Sequence, residues 1–324
     1  MPGKRKFDEQ IAAMDRLIDL PPDERVEPLR KALAHRNNFV VSKAADLVRK
    51  FQLAQLTPEL LTAFDRFFED SAKSDPQCLA KNAIARALAT FEYQNADVFL
   101  RGMKHVQPEP TWGGSSDSAG TLRATCALAL VQCRDLREPE LLAHLVDLLA
   151  DKDKAVRVEV IRAIELLNSS SAALLLRARA VIGSDEPELL GACYGGILRV
   201  EGVRAILWVS GFLASADDSA AEAALALAGT HSIEGFDALR KRFGEGADTW
   251  FSSVLLSAIA LSRQDAALEF LLELVRTEAM HAEAAIEAIL RSAPSPEIVK
   301  KLKDLVAANP RLARAFAAHR SESP

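Results

Sequence analysis

Tyrosine occurs twice and tryptophan three times in 324 residues, and all aromatics together make up 6% of the chain. β-Branched residues are sparse as well beside the dominant Ala and Leu, so the material for extended sheets is missing and an all-α fold is expected. Fifteen Gly and 14 Pro are too few for a collagen-like or loop-dominated chain. The four cysteines (Cys78, Cys126, Cys133 and Cys193) form no CxxC pair. This argues against a zinc knot or disulfide framework and for reduced, buried thiols. Uncharged stretches such as Ile206 to Ala216 fall well short of the roughly 20 residues a membrane span needs. The opening MPGKRKFDEQ holds no apolar signal core, so the expected location is cytoplasmic. Neither sign of charge dominates: 40 Lys and Arg against 45 Asp and Glu leave a formal charge of −5. Nothing global therefore attracts polyphosphate, and nucleic acid is not the expected partner.

Reaction chemistry is also missing. The six His (His35, His105, His144, His231, His281 and His319) have no second His or Cys three or four residues on. There is no G-x-S-x-G elbow and no H-E-x-x-H, and GGSSDSAG lacks the Gly-Lys-Ser/Thr of a phosphate loop. No cofactor and no metal are implied, and no catalytic residue is assigned.

What is present is a period. Helical segments anchored at Val41, Leu79, Leu122, Val156, Leu190, Ala221, Phe251 and Ala282 follow one another at spacings of 38, 43, 34, 34, 31, 30 and 31 residues. Most follow an Asp that can cap the first turn, namely Asp75, Asp117, Asp153, Asp185, Asp217 or Asp248. Between them lies a second amphipathic set, including EPELLAHLVDLLAD and DAALEFLLELVR, with apolar residues at i, i+3, i+4 and i+7. A string of about nine helical hairpins follows, and such hairpins bury their apolar faces only by stacking on their neighbours.

The unit from Arg137 to Leu167 resembles the HEAT repeat family. Pro139 opens its first helix, Asp151 follows that helix, Val156 and Arg157 open the second, and Ala163 to Leu167 close it. The resemblance spans residues 23–319, with degenerate units elsewhere. It implies a right-handed α-α superhelix, capped by a helix over 7–20 within residues 1–22 and followed by a disordered tail at 320–324. Gly191 and Gly195 are expected to let stacked helices approach closely. One insertion, 106–120, lengthens a repeat and carries Trp112 as a candidate apolar anchor.

HEAT-like arrays line their concave face with the second helix of each pair. The resemblance therefore points to Lys43, Lys81, Arg86, Arg123, Arg157 and Arg162 as exposed charge contacts for a partner protein or acidic peptide. The expected function is a non-enzymatic interaction scaffold. The alternatives are two HEAT-like enzymes. An alkylpurine DNA glycosylase-like protein would need Trp250 and an Asp such as Asp248 facing the basic stripe. A phycobilin lyase-like protein would share the repeats alone.

Overall fold

The computed structural model describes residues 11–321 apart from 13, 184 and 185. Of the expected capping helix, residues 7–10 and 13 lie outside this set, as do Asp185 and the tail residues 322–324; Arg16–Asp19 forms a single 3-10 turn. The protein is mostly helical, and no helix among the described residues is long and apolar enough to cross a membrane.

The chain divides into two compact units, Met1–Leu167 and Asn168–Pro324. In the first, α1 (Pro22–Leu33) pairs with α2 (Asn38–Lys50). α3 (Thr57–Arg66) and the short α4 (Ser71–Ser74) lead to α5 (Leu79–Thr90), and α6 (Ala96–Met103) leads through a β-hairpin to α7 (Gly120–Leu130). α8 (Glu138–Leu148) pairs with α9 (Lys154–Leu166). Helices α2, α5, α7 and α9 pack on one another in that order and form one layer; each is backed by the helix that precedes it in its repeat. The seam is built of small and aliphatic residues: Val41, Ala44, Ala80, Ala83, Ile84, Leu122, Cys126, Val156 and Val160 are all buried. Burial of these faces is the main stabilising term, at about 25 cal/mol per Å² of apolar surface.

The second unit repeats the scheme. α10 (Ser170–Ile182) backs α11 (Pro187–Glu201), and α12 (Ile206–Ser210) backs α13 (Asp218–Ala228). α14 (Ile233–Gly244) precedes α15 (Thr249–Leu261), α16 (Asp265–Arg276) precedes α17 (Ala282–Arg291), and α18 (Pro296–Val306) precedes α19 (Pro310–Ser321). The layer here is α11, α13, α15, α17 and α19. Gly191 serves the close approach expected of it, since a Cβ there would lie 2.3 Å from Glu222 Oε2 and 3.2 Å from Glu222 Cβ. Gly195 faces only the far end of the Arg199 side chain.

Capping follows the sequence reading at Asp153, Asp217 and Asp248, whose carboxylates accept from Ala155, Ala220 and Phe251 N–H. Asn37 and Asn95 do the same for α2 and α6. Two anchors are off by one residue. Leu79 is exposed and Ala221 half-buried, while Ala80 and Ala220 are fully buried. A 3-10 turn over Pro76–Cys78, with Gln77 and Cys78 at positive φ, delays the start of α5 and rotates its inward face.

The one departure from an all-helical chain among the described residues is the insertion. β1 (Pro108–Thr111) and β2 (Gly114–Asp117) pair antiparallel, with Thr111 opposite Gly114 and Pro108 opposite Asp117. Gly113 takes φ +96° in the two-residue turn, a conformation glycine adopts without strain.

Candidate functional site: a hairpin on a buried polar seat

Strands expose side chains alternately, and in this hairpin the alternation is inverted. Gln107 is buried and Glu109 half-buried, whereas Val106, Pro108 and Pro110 are exposed. Over 106–110 polar side chains thus face the body of the protein and apolar ones face solvent, whereas Thr111 and β2 are exposed throughout. At the tip, Trp112 is fully exposed, at 106% of its reference area. The sequence expectation for Trp112 is a loop anchor; the structure places it on a defined turn, standing clear of the body.

A network of charged and amide groups, drawn from five segments, holds the inner face. Lys81 is completely buried at 0% exposure, and its Nζ lies 3.2 Å from Asp75 Oδ2 while donating to Phe67 O and Gln107 Oε1 at 3.0 Å each. Asp75, also at 0%, accepts from Ala80 N and Lys81 N at 2.9 and 3.0 Å and from Asn38 Nδ2 at 3.0 Å. The Gln107 amide donates to Asp75 O at 2.9 Å and to Glu109 Oε1 at 2.7 Å, and its Oε1 also meets His105 Nε2 at 3.0 Å. Glu109 accepts further from Ser118 Oγ and Gln77 N, both at 2.6 Å. Burial would raise the Glu109 pKa, but the Ser118, Gln107 and Gln77 donors outweigh it and hold the carboxyl below its usual range.

Arg123 closes the base. Its Nε and Nη2 form a bidentate pair with Asp151 at 2.7 and 3.0 Å, and its Nη1 reaches Asp117 Oδ2 at 2.6 Å and His105 O at 3.0 Å. Asp117 Oδ1 accepts from Gln107 N and Ala119 N. Burial pushes the Asp117 pKa up, yet these two N–H groups and Arg123 bring it below the ordinary value. Burial dominates at His105 and lowers its pKa; Lys81 and Arg123 add to this, while the Gln107 bond opposes it.

Two expected groove contacts are therefore corrected. Lys81 and Arg123 are not exposed: they are interior groups, paired with Asp75 and with Asp117 and Asp151, because the delayed start of α5 and the hairpin above α7 turn them inward. The other four occupy the surfaces of α2, α5 and α9 but do not form a free basic stripe. Lys43 pairs with Asp15 at 2.7 Å, Arg86 shares Asp46 with Arg49, and Arg162 pairs with Glu159 at 2.6 Å. Arg157 donates to Asp151 O at 2.7 Å. Asp248 is engaged as the cap of α15, and Trp250 stands half-exposed on that helix.

The sequence reading missed Val106, Gln107 and Glu109. Their signal was the strict alternation in VQPEPTW followed by Gly-Gly, a hairpin pattern masked by two prolines and low β-propensity. The four cysteines are all free and buried. Burial raises the thiols of Cys78 and Cys133 to about 11 and that of Cys126 further still, so none of these three is a ready nucleophile. No protein-family model matches this chain, and no curated protein matches it either.

Proposed function

We propose that this chain is a non-enzymatic docking scaffold, built as a right-handed HEAT-like solenoid, whose hairpin at 106–120 binds a partner protein. The observation that carries the reading is the inverted hairpin. Val106, Pro108, Pro110 and Trp112 are exposed together, on a support that buries a lysine, an aspartate and a glutamine to hold them in place. An exposed tryptophan in a rigid setting has the character of an interface hot spot, because it loses little entropy on contact. Tandem helix pairs, packed in series within each of the two units, support the HEAT-like reading of the scaffold. The contact surface moves from the surfaces of α2, α5 and α9 to the hairpin, because their cations already have acceptors within the chain and two of the six expected contacts are interior.

The test is capture of partners from the native host by the tagged wild type and by a Trp112→Ala, Val106→Ser variant. Both side chains are exposed, so the melting temperature should stay within a few degrees. A protein bound by the wild type and absent from the variant is the expected result. Equal recovery by both would remove the hairpin as the docking element.

A further inference from the structure

The two strands of the hairpin offer different outer edges. Thr111 and Gly114 flank the two-residue turn, and Ser118 N–H donates to Gln107 O at 3.0 Å. The pairs that face each other's hydrogen-bonding groups across the ladder are therefore 107 with 118, 109 with 116 and 111 with 114, the Gln107 N–H turning to Asp117 Oδ1 at the open end. The peptide groups between them face away from the neighbouring strand. On β1 these belong to Pro108 and Pro110, which have no N–H, so that edge presents carbonyls alone and cannot hold a regular added strand. On β2 they belong to Ser115 and Asp117, each with both an N–H and a C=O, and both residues are exposed.

We infer that the β2 edge receives an extended, uncharged segment of a partner protein as a third strand, with an apolar side chain of that segment packed beside Trp112. This rests on the hairpin being the docking element and states how it docks. Charge selects the segment. Between Val106 and Gly120 the charged side chains are Glu109 and Asp117, and both are already engaged by Gln77, Gln107, Ser118, Ala119 and Arg123. Their oxygens are taken up by donors inside the seat, the Arg123 guanidinium among them, and no cation projects from the hairpin to attract an acid, so main-chain groups rather than a charged pair are what the β2 edge offers. Area argues against a second copy as the occupant. Val106, Pro108, Pro110 and Trp112 together supply less than the roughly 800 Å² that each side of a stable dimer buries. Strand addition draws its affinity from main-chain hydrogen bonds instead and suits a short edge.

The experiment selects short random peptides displayed on phage against the full chain. The binders are then measured by fluorescence anisotropy against wild type, Ser115→Pro, Ser115→Ala and Trp112→Ala. Uncharged, β-forming peptides should emerge, with affinity flat in salt, retained by S115A and reduced about tenfold or more by S115P, which removes one outward donor. Peptide N-methylation gives a second readout that leaves the protein unaltered. Methyl groups on one set of alternate residues should abolish binding, and on the other set should be tolerated. No enriched peptide, or binders indifferent to both S115P and the phase of methylation, would overturn the proposal. Binders lost in W112A but indifferent to those two changes would overturn strand addition while sparing the docking role of the hairpin; indifference to W112A as well would remove both. A dimer of the free protein dissolved by S115P would assign the edge to a second copy. A Trp112-dependent emission shift with neutral phosphatidylcholine vesicles would assign the tip to a membrane surface. Either outcome overturns the proposal.

Discussion

Lys81 carries its charge into the interior because Asp75, Phe67 O and Gln107 Oε1 replace its water, and the Phe68 ring lies 5.5 Å from Nζ. Removing only the cation leaves Asp75 and the Gln107 carbonyl without it, so Lys81→Met should destabilise the protein by about 3–5 kcal/mol in urea unfolding. Lys81→Met combined with Asp75→Asn should recover part of that loss. His105 supplies a pH dependence. Its folded pKa lies below the ordinary 6.5, so below that value the unfolded chain binds more protons and stability falls as pH drops toward the folded pKa. Glu109 and Asp117, held below 4.5 and 3.8, add a second loss at lower pH as they are protonated. Substituting His105→Gln should flatten the first step alone in a series of melting curves. Little of this was legible in the sequence. The phase of α5 depends on a 3-10 turn with two residues at positive φ, and the partners of Lys81 come from segments 6 and 26 residues away.

The hairpin is the element whose geometry matters most, and Arg123 is its fastening. Arg123→Met leaves Asp117 and Asp151 facing each other without the guanidinium. The expected result is faster amide exchange over 107–118 with little change in α2, read by mass spectrometry. Gly113→Val tests the turn: φ +96° is costly for a β-branched residue, so the tip should fray while Trp112 stays exposed. At this scale the sequence was informative about helices and caps, whose signals are local. It carried only a masked signal for the strands, because Pro108 and Pro110 disguise an edge strand and the seat that orders it lies in other segments.

Each unit closes its own core, and the tryptophans report on them unequally. Trp112, in the first unit, is already exposed and its emission should barely change on unfolding. Trp208, in the second, packs 4.9 Å from Phe212 under the Arg177 guanidinium, and Trp250 is half-covered. Tryptophan fluorescence therefore follows the second unit, while circular dichroism follows all helices. Periodicity made the stacked helix pairs legible, because every hairpin must bury the same faces. It could not locate a division at Leu167, where the best-formed repeat ends and no composition shift marks the chain. The division makes a prediction. Lys81→Met should move the circular dichroism transition to lower urea and leave the fluorescence transition in place. Gly191→Leu, which forces α11 against Glu222 on α13 at a cost of about 1–3 kcal/mol, should move the fluorescence transition and with it only the second unit's share of the circular dichroism change. Transitions that shift together in both variants would mean that the two units unfold as one cooperative body, with nearest-neighbour coupling carried across residue 167.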